Sequence, residues 1–235
     1  MMRTLISTIL LISLFSCSES QEIQFRSMVI HTLRPQVLHE WYAEHLGFEP
    51  VHKQSLLRDD FTIHFKSPEE LMADAPDYRH GFFKIGFLTN EFDDLFESLQ
   101  QGQVEFLGGI FKDNNLSRRS FLIKDPDGNR IQFFETKEQR GLQPYFLALL
   151  TPSIGEAEKW YQMRFPVTKT HNLDLREKKI YIRLLEGEDF AIEIIENNDR
   201  VSPRTLGPGF HQFEIGGIGT PFEKDKDGNN IISNL

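Results

Sequence analysis

The residues of this chain best suited to chemistry stand in short alternating runs. In Phe61-Thr-Ile-His-Phe-Lys66, the phenylalanines and Ile63 fall on one side, and Thr62, His64 and Lys66 on the other. Phe82 to Leu88 reads as a second strand, with Lys84 facing away from Phe83, Ile85 and Phe87. Arg130 and Gln132 share a face after Gly128, and Ser27 and His31 share one near the start. Cationic and amide groups of this kind suit a carboxylate, phosphate or enolate. Their bland role is an open sheet face in water. Glu193 and His211 stand in later strands as a candidate metal or acid–base pair, or as a structural hydrogen bond.

Other arrangements fail on spacing. His39-Glu40 with His45 invites a zinc-protease helix, which needs its histidines at i and i+4. Here they stand at i and i+6, about 120° apart on the helix, and read as surface residues. Gly216-Gly-Ile-Gly219 lacks the Lys-Ser/Thr and the following helix of a phosphate loop. Asp59-Asp60 and Asp93-Asp94 read as turn and helix-start residues.

The elements that must position these groups repeat. Met28–Leu33 reads as a strand, and Pro35–Leu46 as a helix stopped by Gly47. A second helix, capped by Thr89 or Asn90, places Phe92, Leu95, Phe96 and Leu99 at i, i+3, i+4 and i+7, and Gly102 closes it. Tyr145–Leu150 opens a third unit, whose helix has a Ser153/Glu156 capping box. A hairpin around Gly187 joins Ile180–Leu185 to Phe190–Ile195. Asp125-Pro-Asp-Gly-Asn predicts a type I turn into a strand, and Asp225-Lys-Asp-Gly-Asn repeats it. Trp41-Tyr42 recurs as Trp160-Tyr161, and Asp60-Phe-Thr-Ile-His64 as Asp189-Phe-Ala-Ile-Glu193. The stretch 207–235 holds strands at Phe210–Ile215 and Asn229–Ser233, with no room between them for a helix. Its uncovered apolar face would ask for a partner.

The 235 residues suit two small domains, with 39% hydrophobic residues and 21 Phe to fill the cores. A net charge of −9 argues against nucleic acid as a partner. No uninterrupted apolar stretch approaches transmembrane length. Arg3, an apolar run from Leu5 to Phe15 and the sole cysteine, Cys17, resemble a bacterial lipoprotein signal. On that reading residues 1–16 are removed, Cys17 is lipidated, 17–25 form a tether, and the protein sits on a membrane facing the periplasm or exterior. An ordinary secretory signal or an uncleaved anchor are the alternatives.

Paired β-α-β-β-β modules ending in Asp-Pro-Asp-Gly-Asn resemble the vicinal oxygen chelate superfamily of glyoxalases, extradiol dioxygenases and bleomycin-resistance proteins. The resemblance implies an α+β fold of tandem βαβββ modules in two domains, 26–138 and 139–235, the second with a shortened last module. It implies metal positions at Ser27, His64, Lys84 and Gln132, and again at Phe146, Glu193, His211 and Ile232. Serine and lysine are poor ligands, and two of four usable positions per domain fall short of a stable site. No cofactor is therefore predicted, and the chain is expected to be no metalloenzyme. The expectation is one cup holding Ser27, His31, His64, Lys84 and Gln132 around a small polar or anionic molecule. The alternatives are a metal-dependent lyase, isomerase or extradiol-type dioxygenase, and a scaffold lipoprotein, with a homodimer possible in principle.

Overall fold

A computed structural model of the chain describes residues 22–69, 79–113, 115–138, 141–197, 202, 207–218 and 223–234. The signal segment and Cys17 lie outside the described residues. The first module comprises β1 (Gln24–His31), α1 (Pro35–Leu46), β2 (Glu49–His52), β3 (Ser55–Arg58) and β4 (Phe61–Lys66). The second comprises β5 (Gly81–Thr89), α2 (Phe92–Gln101), β6 (Glu105–Phe106), β7 (Phe111–Asp113), β8 (Arg118–Lys124) and β9 (Arg130–Glu135). The third comprises β10 (Leu142–Leu150), α3 (Ile154–Gln162), β11 (Lys169–Leu175), β12 (Ile180–Glu186) and β13 (Ala191–Asn197). Only β14 (Gly209–Gly216) and β15 (Asn230–Asn234) represent the fourth among the described residues. The α+β class and the shortened last module are as the sequence implies.

The strands form two sheets, ordered β15-β14-β1-β4-β3-β2 and β11-β12-β13-β10-β5-β9-β8-β6, with β7 on β8. Each sheet takes one module from each half of the chain, through the antiparallel pairs β1–β14 and β10–β5. The helices pack on the apolar faces, α1 on β3 and β4, α2 on β9, and α3 on β12 and β13. One core runs through all of them and includes Met28, Tyr42, Phe87, Phe133, Tyr161 and Phe213. The apolar face of the fourth module is not left open, contrary to the sequence expectation. Phe213 is fully buried, its ring edge-on to Phe82 at 4.7 Å, so the second sheet covers what a helix would have covered.

The repeated turn is built alike in both copies. Asp125 Oδ1 accepts the Asp127 and Asn129 amides at 3.0 and 2.9 Å, and the Gly128 amide closes on the Asp125 carbonyl at 2.9 Å. Asp225 receives the Asp227 and Asn229 amides at 2.9 and 2.8 Å. Gly128 and Gly228 take φ of +84° and +77°, which an L side chain resists. Each turn is then fastened to the helix of the preceding module. Tyr42 Oη donates to Asp125 Oδ2 at 3.1 Å, and Tyr161 Oη to Asp225 Oδ2 at 2.8 Å. Burial pushes the Asp125 carboxyl up to about 7, against the donors on Asn129 and Tyr42 that favour its anion.

Four local expectations are corrected. β1 begins at Gln24 with Ile23 and Phe25 buried, so the tether gives way to strand before residue 25; a bulge at Arg26 lets Phe25 and Met28 both reach the core. β11 was not expected, because Lys169–Leu175 is exposed at nearly every position and carries no buried-face pattern. Ser153 makes no side-chain cap on α3; the Ile154 amide donates instead to Glu196 at 2.8 Å. His39 is no surface residue: it is 9% exposed and edge-on to Phe65.

Tyr42→Phe and Tyr161→Phe each leave a buried carboxyl one donor short. Each should lower unfolding stability by about 1–3 kcal/mol in urea titrations with an unchanged slope. A loss of only a few tenths in both would show that these turns do not depend on the tyrosines.

Candidate ligand-binding faces

The faces turned away from the helices differ between the sheets, and the predicted site residues divide between them. On the six-stranded sheet, β1 and β4 align Ser27 with Thr62, Val29 with His64 and His31 with Lys66. β14 aligns Glu214 with Ser27 and Gln212 with Val29. His31 and His211 stack with centroids 3.8 Å apart and planes 16° from parallel. His211 contacts the Asn230 amide at 2.8 Å, Ser27 Oγ donates to Glu214 at 3.1 Å, and His64 Nδ1 pairs with Ser55 Oγ at 2.9 Å.

The His31 and His64 imidazoles are both kept neutral. Burial, then the nearby Lys66, lowers His31 to about 4. His64 is lowered by burial and Lys66, and partly held up by Glu214. His31 is 6% exposed, and its Nδ1 has no hydrogen-bond partner among the described residues. A neutral imidazole offers one donor and one acceptor, so this nitrogen is a buried polar group awaiting a partner.

Lys84 and Gln132 lie on the other sheet, so the expected single cup with Ser27, His31 and His64 does not form. The reason is topological: β5 and β9 pair with β10, while β1 and β4 pair with β14. Lys84 Nζ sits 3.1 Å from Glu193 and 4.7 Å from the centre of the Phe146 ring. Gln132 donates to Ser120 at 2.9 Å. Glu193 and His211, expected as a pair, also belong to different sheets. Around Lys84 the face is filled by Leu88, Phe134, Phe146 and Leu184. A Cβ on Gly86 would lie 2.8 Å from both Phe134 and Phe146, so glycine is what lets the rings close over the strand.

Glu214, Ser55 and Asn230 were not singled out from the sequence. Glu214 was accessible to it, because Phe213 and Ile215 alternate with Gln212 and Glu214. Ser55 was accessible too, because the two-residue turn at Asp59-Asp60 pairs Arg58 with Phe61 and therefore Ser55 with His64.

The metal that the superfamily resemblance implies does not fit these residues. One sheet gathers Ser27, His64, His211 and Ile232; the other gathers Lys84, Gln132, Phe146 and Glu193, with the lysine already bound to the carboxylate. Among the described residues no three His, Cys, Asp or Glu side chains converge as ligands.

Residues 34–133 match the profile of the Glyoxalase/Bleomycin resistance protein/Dioxygenase superfamily. Over that stretch the chain is similar in sequence to the superfamily. Most of its length also follows solved folds of glyoxalase I. A glyoxalase I mutant from Zea mays superposes with a TM-score of 0.65 at 14% identity, over 90% of this chain and 93% of that one. Zea mays glyoxalase I in another structure gives 0.60 at 14% identity, over 83% of this chain and 74% of that one. At such identity the likeness is one of fold.

The low His31 pKa fixes a sign. An imidazole near 6.5 unfolded and about 4 folded contributes stability above pH 6.5 that is lost as pH falls through that window. Melting temperature should therefore drop between pH 7 and 4.5, and less steeply in His31→Gln; parallel profiles would contradict the assignment. Gly86→Ala should cost about 1–3 kcal/mol by crowding the two rings, and an unchanged denaturation midpoint would show that the face is loosely filled.

Proposed function

We propose that this is a lipid-anchored, glyoxalase-like binding protein that holds a small polar or anionic molecule without a metal. The observation that carries the reading is the helix-free face of the six-stranded sheet. Ser27, His31, His64, His211 and Glu214 lie together there, the first two buried and the others partly exposed, and the buried His31 Nδ1 has no hydrogen-bond partner among the described residues. A ligand that completes that hydrogen bond relieves a cost of about 1–3 kcal/mol. Lys66 at the rim supplies a positive charge for an anionic group, while the neutral imidazoles favour hydroxyl and carbonyl groups. Lys84 adds little to anion binding here, because it serves Glu193 in the other sheet.

Membrane attachment rests on the sequence around Cys17. No helix among the described residues is long and apolar enough to cross a bilayer. Two or more acyl chains would be required for a firm hold. The protein would then face the periplasm or the exterior, with no nucleic acid partner.

Two measurements test the proposal. Metal analysis of purified protein, from cells supplied with iron, manganese, zinc and nickel, should give far below one equivalent. About one equivalent that survives dialysis and disappears in His211→Ala would overturn the metal-free reading. Cys17→Ser should move the protein from the membrane to the soluble fraction, and continued sedimentation with membranes would overturn the lipid anchor.

A further inference from the structure

The edges of the two sheets are not alike. β2 is four residues long, carries Pro50 and breaks register between Pro50 and His52. β6 has two residues. β15 has five, and its Ile231 and Ser233 are buried. Proline, shortness and bulges keep an edge from pairing with another chain. β11 has none of these. Its seven residues pair with β12 without a register shift, and six of them are exposed. Leu173 and Leu175 keep 42% and 37% of their surface in water. Among the described residues no strand lies along its other side.

Bonds at the start of β11 fix which of its backbone groups face outward. The Glu186 carbonyl accepts the Thr168 amide at 2.8 Å, so Glu186 turns its backbone toward β11. The next residue turns the other way, and the Gly187 amide donates to the Phe190 carbonyl at 2.9 Å. Backbone direction alternates along an antiparallel strand. Lys169, opposite Glu186, therefore bonds to β12, as do His171, Leu173 and Leu175. Thr170, Asn172 and Asp174 point their amides and carbonyls away from it. These three are symmetric about Asn172. In a second, antiparallel β11 set with Asn172 opposite Asn172, each Thr170 meets the Asp174 of the other copy. About six backbone hydrogen bonds form across the seam. Every other register pairs fewer of the three outward residues.

We propose that β11 is a docking edge for a second copy of this chain, joining two nine-stranded sheets into one about a two-fold axis at Asn172. The side chains suit that register. Toward α3, Thr170 Oγ1 accepts from Gln162 at 3.3 Å, so its hydroxyl donates across the seam to Asp174 of the second copy. That carboxylate is already oriented by Arg183 Nη1, 2.7 Å from Oδ1. On the other face Leu173 falls beside His171 of the second copy, and Leu175 beside the aliphatic stem of Lys169. No like charges stand opposite one another. The axis is perpendicular to the sheets, so both helix-free faces open on the same side. The contact is only one strand wide, smaller than a permanent interface, and the dimer therefore forms and dissociates with concentration.

The test uses the full chain with Cys17→Ser, which removes its native thiol and any lipid anchor. Sedimentation velocity from about 5 to about 500 μM should show a reversible monomer–dimer equilibrium. Asn172→Pro deletes an amide that points away from β12, a position where an edge strand accepts proline. It should keep the protein monomeric over that range, with a melting temperature within about 3 °C of the parent. Asn172→Cys should cross-link to itself under mild oxidation, because directly bonded pairs hold their Cα atoms about 5.5 Å apart, within disulfide reach. Thr170→Cys alone should not, whereas a mixture of Thr170→Cys and Asp174→Cys chains should. A chain monomeric throughout, a dimer that persists in Asn172→Pro, or Thr170→Cys cross-linking as readily as Asn172→Cys would each overturn the proposal. Where Asn172→Pro unfolds the chain, the cross-linking pattern decides.

Discussion

Everything in this fold hangs on a carboxyl group that has no business being buried unless it is fully engaged. Asp125 is 4% exposed, and Asn129, Asp127 and Tyr42 all donate to it. Asp225 is 6% exposed and is held by the equivalent residues. Because the donors come from a turn in one module and a helix in another, the network fixes two modules against each other. Pure apolar packing between Tyr42 and its ring neighbours would tolerate sliding; directional bonds to a buried acid do not. Thr32 and Thr151 extend the arrangement by donating to Asp127 and Asp227.

On this shared frame the two sheets have diverged in what they offer. One presents serines, neutral imidazoles and a carboxylate. The other has turned its polar groups on one another, Lys84 to Glu193 and Gln132 to Ser120, and filled the space between with rings. The same fold therefore holds one wet face and one largely dry one. Among the described residues, neither gathers three His, Cys, Asp or Glu side chains at one point.

Much of this was legible in the chain because the local signals agree with each other. Pro35 and Gly47 bracket α1 as read, and the alternation at 61–66 gave the right face for His64; at 82–88 it misplaced Phe83, which a break in register turns to the Lys84 side, under Arg130. The site as a whole was not legible, for a specific reason. Alternation says which side of a strand a residue occupies, and says nothing about which distant strand lies alongside. His31 and Lys84 were assigned to one cavity because their modules are consecutive, yet β1 pairs with β14, 187 positions later at Ser27 and Glu214. His39 escaped for a similar reason, since its burial depends on Phe65 of another strand.

That pairing of β1 with β14 also bears on how the chain reaches its fold. The first strand of the six-stranded sheet cannot acquire its antiparallel neighbour until Gly209–Gly216 is present. Loop closure over such a span must precede any gain from the contact, which gives the molecule a high contact order and slows its folding. The nine-stranded sheet, built from consecutive modules, has no such wait. During synthesis its two modules can pair while β1 still exposes an edge. The polar face that carries His31 and His64 is thus completed later than the nine-stranded sheet, and its integrity depends on β14 and β15.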